Sequence, residues 1–326
     1  MPDTISRFTF DDNPVRGEVV QLEHSYQELL AIHHYPPIVA NLLGELCAAA
    51  SLLAETIKFD GTLTLQIRSE GEIPLIMAEI NNQQQYRAIA RKAEQASSPD
   101  FSTLFRNGQL CLTIQPRNGK PYQGIVSLHG NSLASCLDEY FVQSEQLPTR
   151  IALSADGERA GGFLLQQMPG AAVQPAEGAA PGAAWEHLSQ MAATLKADEL
   201  LGLPREELLY RLYHQEALRL HPEKPVQFQC TCSRQRLEEV LVSLGREELD
   251  SILEEKGLID RVRDEADRRR QVVTLTSAGL TVIEGRFGEM IADIPFTVIA
   301  VLAASLVECF LILPNHMAHA LAHTSE

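Results

Sequence analysis

The segment from Ile38 to Ile57 is apolar on nearly every face, and a helix with that pattern belongs inside a protein core. Cys47 lies within it and reads as core packing. Beyond this segment the apolar period changes. Thr62–Arg68 alternates, with Leu63, Leu65 and Ile67 on one side and Thr64 and Gln66 on the other, the mark of a half-buried strand. Leu110, Leu112 and Ile114 repeat that pattern, Pro116-Arg-Asn118-Gly119 supplies a turn, and Tyr122–Leu128 returns. This predicts a hairpin with Cys111 on the polar face of its strand. Cys111 and Cys136 have no ligand-type neighbours at useful spacing and read as structural. Gly161-Gly162 reads as a turn. Residues 1–170 are expected to form one mixed domain of sheet and helix.

Ala171–Ala184 is rich in Ala, Pro and Gly and reads as a linker. Helical patterning resumes from Trp185. Leu209, Tyr213, Ala217 and Leu220 form one stripe, begun near Pro204 and ended by His221-Pro222. Two short amphipathic helices are then expected. Leu237, Val240, Leu241 and Leu244 precede Gly245, and Leu249, Ile252 and Leu253 precede Gly257, each glycine standing where a helix C-cap wants one.

Between these helical stretches stands Cys230-Thr-Cys232. Two thiolates two residues apart can grip one soft metal ion, but a closed structural zinc site needs four protein ligands. The sequence has six cysteines, at 47, 111, 136, 230, 232 and 309, too few and too irregular for a disulfide scaffold. The nearest additional donors to the pair are His214 and His221, and His221 precedes a proline at a helix end, where ordinary surface structure is the simpler role. Zinc held between two chains by four pooled thiolates is the other arrangement the pair allows.

The balance of 27 basic against 43 acidic residues, a net charge of −16, argues against a nucleic-acid-binding surface. The first residues lack the basic-then-apolar run of a signal peptide, so a cytoplasmic protein is expected. Phosphate loops, a nucleophile elbow and metalloprotease motifs are all missing, and no catalytic residue is assigned. From Arg261 a dense charge run extends to Arg270, and Ile294 to Leu313 then carries Glu308 as its one charge. That apolar stretch is long enough to span a bilayer, so membrane association is expected if the tail inserts.

Several segments carry a recognisable likeness: Arg16-Gly-Glu-Val-Val20, His34-Tyr-Pro-Pro37, Leu42-Leu-Gly-Glu45, Lys58-Phe-Asp-Gly61 with Leu65-Gln66, and Tyr140-Phe-Val-Gln-Ser-Glu-Gln-Leu-Pro-Thr149. Over about residues 1–260 they resemble the heat-shock protein 33 family, and Cys230-Thr-Cys232 matches that family's first zinc pair. The resemblance implies a redox-regulated bacterial holdase with unfolded or partly folded proteins as clients, able to form a homodimer when active. It further implies a CxC followed by a CxxC that together hold zinc in the reduced state. Oxidation converts the four thiols to disulfides, expels the metal and unfolds the zinc domain and linker. Cys230 and Cys232 are then both metal-binding and redox-active.

The implied second pair does not follow Gly257-Leu-Ile-Asp260; Arg261-Val-Arg-Asp-Glu stands there instead. About residues 280–323 resemble a transmembrane segment of resistance-nodulation-division efflux transporters. The expectation is a chaperone sequence joined to an unrelated fragment, by genomic rearrangement or by an error of assembly. The expected class is α+β. Its parts are a chaperone core (1–170), a linker and helical region (171–226), a truncated zinc-type domain (227–260) and a foreign tail (261–326) with an apolar helix over 294–313. Zinc binding is expected to be weak or absent. Two rival functions are a thiol–disulfide oxidoreductase using the CxC pair, disfavoured because no thioredoxin-like βαβ context surrounds it, and a membrane-anchored fusion fragment.

Overall fold

The computed structural model describes residues 3–57, 59–168, 183–229, 251, 259–263 and 271–275. The apolar segment forms a 20-residue helix, Pro37–Thr56, which follows a short helix, His24–Leu30; these are α2 and α1. A proline at the first position starts α2, where its missing N–H costs no hydrogen bond. Leu43, Leu46, Cys47, Ala48, Leu52 and Leu53 are fully buried. A helix apolar all round needs cover on opposite sides, and two sheets supply it. Among the described residues α2 alone is long and apolar enough to cross a membrane, and most of it lies inside the protein.

The first sheet contains β1 (Thr4–Phe10), β2 (Val15–Leu22), β8 (Thr149–Ala155) and β9 (Ala160–Gln167). Its order is β1-β2-β9-β8, all antiparallel. The second contains β3 (Gly61–Arg68), β4 (Leu75–Asn81), β5 (Gln85–Arg91), β6 (Gln109–Pro116) and β7 (Tyr122–Ser127). These lie in the order β5-β4-β3-β6-β7, again antiparallel. The strand expected at 62–68 and the hairpin after Leu110 are both present. Cys111 faces away from the core beside Gln66 and Ile125. A four-residue helix, Phe101–Leu104 (α3), and a longer one, Leu133–Tyr140 (α4), complete this part. The capping box of α4 is built on Ser132 and Ser135.

Gly161-Gly162 lies within β9, near its start, not in a turn. A Cβ on Gly162 would stand 2.8 Å from Leu52 Cδ1 and 3.1 Å from Val20 Cγ1, so the missing side chain lets α2 lie close against the sheet. The sequence pattern suggested a turn because Gly-Gly is ordinarily a breaker; here close packing is the reason for it.

Residues 183–229 belong to the same compact unit, which runs to Cys230. Three helices, Ala183–Ala192 (α5), Ala197–Gly202 (α6) and Arg205–Tyr213 (α7), cover the outer face of the first sheet and create a second core. In it Phe8, Phe10, Phe163 and Tyr213 pack with ring centroids 5.0–6.2 Å apart. The helix expected from Pro204 to Leu220 ends at Tyr213. Leu218–Leu220 is instead a strand, β10, paired with Phe8–Phe10, because the open edge of β1 offers backbone partners that a longer helix would leave unused.

Gly17 pairs with Phe8 across β1 and β2, and a Cβ there would fall 2.0 Å from Phe8 Cζ. The tip of the ring occupies the space a side chain would need. Gly17→Ala is therefore expected to lower stability by about 1–3 kcal/mol, the usual cost of overpacking, read as a fall in the urea midpoint.

In the second unit the described backbone is an antiparallel pair, Ile259–Arg263 with Gln271–Leu275. The two amphipathic helices expected after the cysteine pair and the apolar helix over 294–313 lie outside the described residues.

Candidate functional site

Past β10 the chain continues as a strap. Lys224–Pro225 (β11) pairs with Thr4 and Ile5 of β1, and Gln227–Phe228 (β12) runs parallel to β5. Between Leu218 and Gln229 the chain thus passes from the edge of one sheet to the edge of the other. His221 N donates to Arg7 O at 2.8 Å, Val226 N to Asp3 O at 2.9 Å, Gln227 N to Gln84 O at 3.0 Å and Gln229 N to Tyr86 O at 2.8 Å. Val226 is buried, and the Phe228 ring meets Tyr86 edge-on at 6.2 Å. Lys224 Nζ reaches both carboxylate oxygens of Glu55 at 2.8 Å. Arg205, at the start of α7, donates to Thr4 Oγ1 at 2.9 Å and Ser6 Oγ at 2.7 Å, and pairs with Glu223.

The strap ends one residue before Cys230. Cys230 and Cys232 themselves lie outside the described residues. Of the additional donors, the His221 ring is 3.1 Å from Thr9 Oγ1, and the His214 ring lies tilted against Tyr210 at 5.6 Å. Among the described residues no group of three or more His, Cys, Asp or Glu could hold a metal ion. Cys47 and Cys136 are fully buried, and burial pushes both thiols up, which keeps them protonated and inert. Cys111 is partly exposed and accepts a hydrogen bond from Gln123 Nε2 at 2.7 Å. Cys47 and Cys136, enclosed in the core, are closed off from any ligand role.

Where the strap crosses the C-terminal end of α2, it meets a polar cluster inside the first sheet. Arg7 Nη2 donates to Glu55 O at 2.7 Å and Arg16 Nη2 to Gln166 Oε1 at 2.7 Å. Glu18, fully buried, accepts from Thr56 Oγ1 at 2.8 Å and stands 3.5 Å from Arg7 Nε. These residues were not assigned from sequence, yet the signal was present. Arg16 and Glu18 share the strand parity of Val20 and Leu22, and so point to the core side of β2.

Burial pushes the Glu18 carboxyl up to about 7, outweighing the opposing effects of Thr56, Arg7 and Arg16. Burial raises Glu45 and Asp138 to about 7 as well. A carboxyl raised in the folded state favours folding at low pH. Its contribution is complete below the ordinary value of 4.5 and is lost as pH rises through about 7. Unfolding free energy should therefore decline from pH 5 to pH 8, with Glu18 contributing roughly 3 kcal/mol of the fall. Glu18→Gln should flatten the profile by that share. A urea midpoint rising across the same interval would contradict this.

The comparisons with known proteins agree on one family. The family model described as "Hsp33 protein" matches residues 3–262. A 33 kDa chaperonin of Pseudomonas paraeruginosa is 51% identical over 256 residues, covering 78% of this chain and 86% of that protein. A 33 kDa chaperonin of Azotobacter vinelandii is 52% identical over 260 residues, covering 79% and 87%. Among solved structures, the 33 kDa chaperonin (heat shock protein 33 homolog) of Thermotoga maritima superposes with a TM-score of 0.63 at 18% identity, over 84% of this chain and 95% of that one. The last likeness shows the fold alone. The family match stops at residue 262, and the likeness of residues 280–323 to a transporter segment finds no support in these comparisons.

Proposed function

Since the chain belongs to the Hsp33 family, we propose that it is a redox-regulated, ATP-independent holdase that binds unfolding proteins in the cytoplasm under oxidative and heat stress. It is not an enzyme; binding alone keeps a client from aggregating. The observation that carries the reading onto this chain is its second core. Helices α5–α7 cover an outer sheet face bearing Phe8, Phe10, Val15, Val19, Phe163 and Leu165. That cover is joined to Cys230 by the strap. Undocking it exposes a broad apolar face on a sheet that α2 still supports from behind.

The family binds zinc. In this chain Cys230 and Cys232 are the metal-binding and redox-active residues, and they do not make a closed zinc site with the cysteines that remain. The region 227–260 then acts as a partial redox domain whose latch is weakened, and zinc binding is weak or absent. The same holds for regulation: the reduced protein is partly active, and oxidation adds less than it would with four thiols. Membrane attachment through 294–313 would be secondary to this activity.

Light scattering from a heat-aggregating protein tests the reading. With a reductant present, a molar excess of the chain should cut the scattering substantially before any peroxide is added. Suppression that begins only after peroxide, or a tight stoichiometric zinc content in the reduced protein, would refute the weakened latch. No suppression under either condition would refute the holdase itself. An insulin-reduction assay separates the oxidoreductase rival, for which no turnover is expected.

A further inference from the structure

Two of the segments that carry the family likeness play no part in the reading above, and they meet at one place. Arg16 lies on β2, and Tyr140, Phe141, Glu145 and Leu147 come from the end of α4 and the π-helical turn Phe141–Glu145 that follows. Together with Ile57, Leu112 and Ile114 they line a cleft of about 350 Å³ between the two sheets, open on one side. This volume lies within the range of ligand sites, which are typically apolar with a few placed polar groups. A π-helical turn inserted in a helix often marks such a place. Gln146 closes the turn in a left-handed conformation, φ 55°.

The polar groups sit on opposite walls. On one, Arg16 has Gln166 Oε1 at 2.7 Å and Thr56 O at 3.5 Å as neutral partners. Its buried Nε has no hydrogen-bond partner, and no carboxylate lies within ion-pair distance of it among the described residues. The charges acting on Arg16 among the described residues are Arg7 against Glu18 and Glu55, so with Arg16 the two signs balance while Glu18 is ionised. On the other wall, Glu145 Oε1 accepts from Tyr140 Oη at 3.1 Å and Tyr122 Oη at 3.3 Å, with no cation beside it among the described residues. Ile57, Leu112, Ile114 and Leu147 supply the apolar part of the same lining.

We propose that this cleft seats an extended segment of a client polypeptide, holding an aliphatic or aromatic side chain against Ile57, Ile114 and Leu147 and a neighbouring carboxylate on Arg16. The inference rests on the holdase reading and supplies a selective contact that a bare apolar face lacks. An extended chain offers N–H donors to Glu145 and acidic or carbonyl acceptors to Arg16, at either end of an apolar side chain. Charge-assisted hydrogen bonds from a guanidinium are the strong kind. Positive charge comes into excess around Arg16 as Glu18 takes up a proton.

Two fluorescein-labelled ten-residue peptides test it, one with a central Leu-Asp and one with Leu-Asn, titrated with the full chain in reductant and followed by anisotropy. The Asp peptide should bind about tenfold tighter. Arg16→Gln should erase the difference, and Leu147→Trp, which fills the cleft from its rim, should weaken both peptides; circular dichroism verifies the fold of each variant. Equal affinities for the two peptides, or a folded Leu147→Trp chain that binds both as tightly as the parent, would overturn the proposal. Aggregation suppression measured on the same samples separates the two readings. Suppression without discrimination between the peptides overturns the cleft alone, whereas no suppression overturns the holdase.

Discussion

Leu208→Asp is expected to make the reduced chain a markedly stronger suppressor of aggregation, several-fold above the parent at equal concentration. Leu208 is buried in the second core, on the face of α7 that meets the first sheet. A carboxylate there loses its hydration and gains no partner, at a cost on the order of 5 kcal/mol. The least costly response is for α5–α7 to leave the sheet. The α2 core shares none of these side chains, so it should persist. Hydrogen exchange should then show lost protection over 183–213 with protection kept over 37–56. If exchange changes in this way but suppression does not rise, the outer face of the first sheet is not the client surface.

The opposite outcome is expected one layer deeper. Leu46→Ala removes a fully buried side chain from α2 and should cost about 2–5 kcal/mol, transfer and cavity together. Against a typical domain stability of about 5–15 kcal/mol, that is a large part of the total. The urea midpoint should fall sharply and the variant should itself aggregate on heating. A gain in chaperone activity from this substitution would show that client binding needs general loosening of the fold rather than an uncovered face.

Much of the inner core was legible in the sequence because its signals are local. The apolar period of Ile38–Ile57, the alternation of Thr62–Arg68 and the turn at Pro116–Gly119 each lie within a window of at most twenty residues. The stretch from Leu209 to Leu220 was misread for the opposite reason. Its spacing suits a helix throughout, but the partner that captures Leu218–Leu220 as a strand is β1, at the other end of the unit. Lys224 and Glu55 are likewise paired across 169 residues, a distance no local pattern spans. Arg16 and Glu18 were readable from strand parity and were overlooked because a charged residue is ordinarily assigned to the solvent face. The cysteine pair needed no structure to be found, and its missing partners are a property of the sequence itself.

The strap also has a mechanical meaning. Its attachments are arranged in series: two residues on β5, then two on β1, then three more on β1. Tension applied from the Cys230 side would peel them one at a time from the weak end, as a seam is unpicked from its last stitch. Each step frees a further length of chain, so small strains are absorbed at β12 while α7 stays seated, and full detachment follows only after the grip of Lys224 on Glu55 gives way.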